Sequence, residues 1–114
     1  MNVNVITVSG RLTSDPKVFD AGTTKVCKFS IANHPPRLKD TVWFFECEAW
    51  GKTGEIIGDK FKKGSKILIE GRLKQDKYKG KDGDVSKIVI NVNDFDYADS
   101  LPASERNATR VGAA

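Results

Sequence analysis

Thr41-Val42-Trp43-Phe44-Phe45-Glu46-Cys47-Glu48-Ala49-Trp50-Gly51-Lys52 holds both tryptophans of the chain and two of its six phenylalanines. β-branched and aromatic residues fill its first half, which suits a pleated strand better than a helix. Side chains of a strand alternate between faces. Val42, Phe44, Glu46, Glu48 and Trp50 then share one face, and Trp43, Phe45, Cys47 and Ala49 the other. The second set reads as core. The first mixes two carboxylates with two large rings, so its rings lie on a face wet enough for charge. Such rings form either an interface or a platform on which something flat stacks.

Upstream, two prolines make residues 34–40 a loop, because proline donates nothing to a ladder. Residues 24–33 alternate Cys27, Phe29 and Ile31 with polar or small neighbours, the signature of a half-buried strand. Before them come a hairpin turn at 20–23, a short return over 17–19 and a turn at 14–16. Residues 3–12 form the first strand, with Gly10 marking a bulge or bend. Downstream, Thr53 caps a short helix reaching Phe61, with Glu55 near its positive end. Ile56, Ile57 and Phe61 pack inward, and Gly64 ends the segment. Residues 66–75 are a strand with a basic outer face. Residues 76–84 form a connection that holds Tyr78 and turns at Asp82-Gly83. Residues 85–92 return, with Ile88, Ile90 and Val92 on one face. From residue 99 the composition loses all period, which predicts a disordered tail. The domain therefore covers 1–98 and the tail 99–114. Five strands with one helix between the third and fourth fit an all-β Greek-key barrel, the OB-fold. A two-sheet sandwich is the alternative, disfavoured by the shortage of strands.

At 114 residues the chain makes one domain with a core. Its net charge of +4 is concentrated: nine basic residues face two acids between Lys60 and Lys81. Charge packed this way points to a polyanionic partner, with a merely solvated surface as the bland reading. No apolar run approaches the roughly 18 residues of a membrane span, and the first residues lack the charged lead of a signal peptide. Two cysteines, Cys27 and Cys47, read as reduced core thiols of a cytoplasmic protein. One histidine and no Cys-x-x-Cys spacing argue against a metal. No catalytic set is evident either: His34 sits beside prolines, and there is no Gly-x-Ser-x-Gly elbow or phosphate-cradling loop. Glu46 and Glu48 share a face, but nothing builds a cleft around them. The reading is a protein without enzymatic activity, cofactor or small-molecule substrate.

Rings interleaved with cations suit single-stranded nucleic acid, whose bases stack on flat side chains while its backbone needs positive charge. The candidate stackers are Phe44, Trp50 and Tyr78. The candidate phosphate partners are Arg11, Lys52, Lys66, Arg72, Lys74, Lys77, Lys79 and Lys81. Pattern alone fits Phe44 equally well as a core ring. Trp50 precedes Gly51-Lys52 near a strand end, and Tyr78 lies between two lysines, so both read as surface rings.

Several short pieces, in order and at fitting spacing, resemble bacterial and phage single-stranded DNA-binding proteins. They are Asn4-Val5-Ile6-Thr7-Val8-Ser9-Gly10-Arg11-Leu12 followed by Asp15-Pro16; Phe29-Ser30-Ile31-Ala32; Ala49-Trp50-Gly51-Lys52; Lys63-Gly64-Ser65; and Glu70-Gly71-Arg72-Leu73. The resemblance covers about residues 2–97. It implies an OB-fold, sequence-independent binding of single-stranded DNA during replication, recombination and repair, and no cofactor. It also implies homo-oligomers, usually tetramers with a dimer as the other form, in the cytoplasm, nucleoid-associated or in a phage host. It puts Phe44, Trp50 and Tyr78 where the family sets aromatics against bases. A fourth family aromatic has no counterpart, because His34-Pro35-Pro36-Arg37 stands in its place. Family members end in an acidic, hydrophobic-tipped peptide that recruits other proteins. Here residues 101–114 hold one acid, Glu105, against two arginines. That expectation is of a truncated tail, or of a phage-type or specialised member that coats DNA without the docking function. Two alternatives remain: an OB-fold module for RNA or primosomal work, and a protein-interaction module whose rings form only a subunit interface.

Overall fold

The sheet closes on itself at Gly10. The computed structural model describes residues 1–98. Its elements follow in the order β1 (Ile6–Leu12), β2 (Lys17–Ala21), β3 (Thr24–Asn33), β4 (Trp43–Trp50), α1 (Gly51–Lys60), β5 (Lys66–Gly80) and β6 (Gly83–Tyr97). The strands form one sheet, ordered β1-β5-β6-β4-β3-β2, and β1 pairs with β3 as well. β1 runs antiparallel to β5 from Ile6↔Gly71 to Arg11↔Lys66, and meets β3 at Arg11↔Ala32 and Leu12↔Ile31. A Cβ at position 10 would stand 2.7 Å from the Ala32 carbonyl oxygen, so only glycine lets the two backbones cross this closely. A short parallel contact between β4 and β6 completes the barrel, at Cys47↔Ile90 and Glu48↔Asn91. This is the expected OB-fold, with β2 as a short extra arm and the helix between β4 and β5.

Strand alternation delivers the core. Cys27, Phe29 and Ile31 of β3, Cys47 and Ala49 of β4, Ile67 and Ile69 of β5, and Ile90, Val92 and Phe95 of β6 are all buried, with Leu12, Ile57 and Phe61 filling the ends. Each large apolar side chain removed from water contributes roughly 1.5–3 kcal/mol. Phe61 meets Phe95 edge-on at 5.7 Å and stacks on Tyr97 at 4.8 Å. α1 packs against β3 and β4. A methyl group on Gly54 would overlap the Ala49 carbonyl oxygen, so the residue that weakens helix propensity is the one that lets the helix seat.

Burial pushes the Cys27 thiol up to about 11, and burial with the nearby Glu46 charge pushes Cys47 to about 12. Thiolate is the reactive form. Neither cysteine is therefore expected to react with a disulfide reagent at pH 8 while the protein is folded, and both should react once urea unfolds it. Rapid labelling of the native protein would contradict this packing.

Several boundaries differ from the sequence reading, each for a physical reason. The ladder of β1 begins at Ile6 rather than residue 3, but the Asn4 side chain extends it: Nδ2 donates to the Leu73 carbonyl and Oδ1 accepts the Leu73 N–H, both at 2.8 Å. β2 continues two residues further, to Ala21. The helix starts at Gly51, whose φ of 64° turns the chain out of β4, so Thr53 is not its cap and Glu55 is not in its first turn. It ends at Lys60, where the Phe61 N–H still bonds Ile57, and Gly64 serves the next turn at φ 88°. β5 and β6 each run 15 residues, and their ladder continues to Gly80↔Gly83. Tyr78 is therefore a strand residue, and the turn is Lys81-Asp82, one position earlier than expected. Ile88 is 55% exposed because it pairs with Gln75 on the projecting part of this hairpin, beyond the core. Trp43, assigned inward by alternation, is also half exposed, since it begins β4 opposite Asn33 where the core has ended. The expected tail, 99–114, lies outside the described residues.

Candidate nucleic-acid interface

Residues in register on neighbouring strands share a face, and the outer face of the barrel can be followed in two rows. The first crosses the closing seam: Lys66 pairs with Arg11, Arg11 with Ala32 and Ala32 with Phe44. The second crosses the middle: Lys28 pairs with Glu48, Glu48 with Asn91 and Asn91 with Arg72. Trp50 lies two residues beyond Glu48 on the same face of β4, and Lys74 and Tyr78 follow Arg72 on the same face of β5. The three candidate rings thus point outward, with Trp50 40% exposed, Tyr78 52% and Phe44 66%. For Phe44 this decides between core and surface.

The seam row borders a groove of about 140 Å³ lined by Ser9, Gly10, Arg11, Ala32, Asn33, His34 and Lys66. Asn33 Nδ2 donates to the Ser9 carbonyl at 2.8 Å, and the Arg11 guanidinium donates to the Gly64 carbonyl at 2.9 Å. Lys63 N–H bonds Asp15 Oδ1 at 2.8 Å, and Gly64 N–H bonds the Leu12 carbonyl at 2.8 Å, strapping this corner to β1. His34 stands in the loop where the resemblance sets an aromatic, and it faces this groove beside two cations.

The outer face around the middle row is more neutral than its lysines suggest. Lys74 Nζ lies 2.7 Å from Glu48 Oε1 and 3.3 Å from Asp76 Oδ1, and Lys87 Nζ lies 3.8 Å from Glu46 Oε2. The hydrogen bond to Glu48 is the largest cause of a raised Lys74 pKa. Val26 and Val89 have outward parity but are buried, in register with Trp50 and Lys74. They give the outer face a small apolar floor of its own.

The candidate residues are not all gathered on one side. Arg72 and Lys74 share the face of Trp50 and Tyr78. Arg11 and Lys66 share that of Phe44. Lys52 sits in the first turn of α1, just after Trp50. Lys77 and Lys79 pair with Ser86 and Asp84 on the side of the hairpin opposite Tyr78, and Lys81 is in the turn. Sequence reasoning missed Lys28 and Asn91 in the middle row. Lys28 had a visible signal, its outward parity on β3; Asn91 had none, because only the β4–β6 contact brings it beside Glu48.

The model of the single-strand binding protein family matches residues 3–97. The chain belongs to this family. Among its relatives, a single-stranded DNA-binding protein of Fusobacterium nucleatum is 32% identical over 94% of this chain and 74% of its own length. One from Thermosynechococcus vestitus is 33% identical over 98% and 96%, and single-stranded DNA-binding protein 1 of Synechocystis is 44% identical over 84% of each. Among the described residues no helix is long and apolar enough to cross a membrane.

Proposed function

We propose that the protein binds single-stranded DNA irrespective of sequence and coats it during replication, recombination and repair, without catalysing a reaction. What carries this reading is the outer barrel face, where three exposed rings on β4 and β5 share a face with basic side chains, in a chain of the single-strand binding family. Bases stack on Phe44, Trp50 and Tyr78, each stack contributing about 1–3 kcal/mol whatever the base. Phosphates are met by Arg11 and Lys66 at the seam, by Arg72 and Lys52 beside Trp50, and by Lys77, Lys79 and Lys81 along the hairpin. The protein acts as a homo-oligomer, a tetramer or else a dimer, in the cytoplasm and on the nucleoid. Sedimentation at several concentrations measures that assembly.

Titration of oligo-dT against tryptophan fluorescence tests the binding. Strong quenching is expected at low salt and weaker binding at high salt, with each neutralised phosphate adding about 0.7 to the log–log slope. Oligo-rU run in parallel separates DNA from RNA preference. Absence of both quenching and binding at low salt would leave the rings as a subunit interface only.

A further inference from the structure

Glu48 is the one buried charged side chain among the described residues, 4% exposed. A carboxylate taken out of water is costly unless donors meet it. Two donors converge on its Oε1: the Lys74 ammonium at 2.7 Å and the Trp50 indole N–H at 3.4 Å. The same ammonium stands 5.8 Å from the centroid of the Trp50 ring, so it is held over the indole. Asp76 Oδ1 takes a further contact from it at 3.3 Å. If Glu48 only offset a nearby lysine, one ion pair would serve. Instead one oxygen ties the edge of the ring and the cation above it together. The ring's tilt is thereby set before any ligand arrives, and with the ammonium on one side a base has the other.

We propose that Glu48 is a positioning residue that fixes the Trp50 ring for base stacking and holds Lys74 away from the DNA phosphates. This rests on the single-stranded DNA reading above and removes Lys74, a phosphate candidate by sequence, from the backbone contacts. Among groups facing Lys74, Glu48 and Asp76 already supply two negative charges, so a phosphate would have to displace a carboxylate to reach it.

The test uses the full chain carrying Trp43→Phe, so that Trp50 is the sole tryptophan and can be excited selectively over the two tyrosines, with circular dichroism confirming the fold of each variant. Without DNA, Glu48→Leu is expected to lower Trp50 anisotropy and raise its quenching by acrylamide, while Glu48→Gln, which keeps an acceptor for the indole, stays near the parent. With oligo-dT, Lys74→Met should leave the salt slope unchanged. Glu48→Gln should steepen it by about 0.7, as the released ammonium finds a phosphate. Glu48→Leu should weaken binding by no more than the stack is worth, roughly 5- to 150-fold. A slope that falls by about 0.7 in Lys74→Met overturns the proposal, because Lys74 would then be a phosphate ligand. Unaltered Trp50 mobility in a folded Glu48→Leu variant overturns it as well. Failure of the parent to bind oligo-dT would instead strike at the DNA reading, and the DNA-free measurements would still decide what holds the ring.

Discussion

Trp50→Ala is expected to weaken oligo-dT binding by roughly 5- to 150-fold at low salt, the equivalent of one base stack. Tyr78→Ala and Phe44→Ala should cost less than Trp50→Ala. The difference lies in preorganisation rather than ring size alone. Trp50 is the least exposed of the three and its indole N–H is tied to Glu48, so little side-chain freedom remains to be lost when a base arrives. Phe44 is two-thirds exposed, and Tyr78 rides on the projecting hairpin with Val85 as its cross-strand partner. Both must give up rotamer freedom on stacking. The salt slope should be unaltered in all three variants, since none removes a cation. Fluorescence titration cannot read Trp50→Ala directly, so anisotropy of a labelled oligonucleotide is the measurement. Equal affinities for Trp50→Ala and the parent would remove Trp50 from the interface. A loss for Phe44→Ala that exceeded Trp50→Ala would show that the seam, not the middle row, is the principal platform.

How far the sequence was legible depended on where each residue sits relative to the core. The bounds of β3 and the parity of β4 were readable because Cys27, Phe29, Ile31, Cys47 and Ala49 are buried along their whole run, and burial is what imposes the period of two. On the hairpin beyond the barrel both faces are solvated, so Ile88 and Leu73 are exposed although they keep the parity of the core residues, and the alternation says nothing about where the strands end. The start of α1 was hidden in a backbone angle at Gly51 that no apolar period reports. The site followed the same logic. Outward parity identified Phe44 and Trp50, since it needs only the strand. Glu48 has the same parity and yet is buried, because Lys74 from β5 and the Trp50 indole close over it. That is a tertiary event, and a lone carboxylate on a wet strand face gives no sign of it. Lys77 and Lys79 looked like neighbours of Tyr78 in a loop; extending the ladder by five residues sent them to the opposite face.

The closure at Gly10 gives the prediction that joins fold and site most directly. In Gly10→Ala the new methyl meets the Ala32 carbonyl oxygen at 2.7 Å, and the obstacle is backbone, which cannot swing aside. Overpacking of this kind costs about 1–3 kcal/mol, and β1 must move away from β3 to relieve it. Chemical denaturation should therefore show a lower midpoint with an unchanged m-value. The movement has a specific consequence for binding. Arg11 and Ala32 are register partners at the closure, and Ala32 is the partner of Phe44, so parting the strands separates the seam cations from the seam ring. The middle row does not pass through this closure: Lys28, Glu48, Asn91 and Arg72 are joined through β3, β4, β6 and β5. In the folded Gly10→Ala protein, Trp50 should keep its acrylamide accessibility while the affinity for oligo-dT falls. Adding Phe44→Ala to Gly10→Ala should then cost less than Phe44→Ala alone, because that platform is already misaligned. Full additivity of the two substitutions would mean that the closure stabilises the barrel without setting the geometry of its binding face.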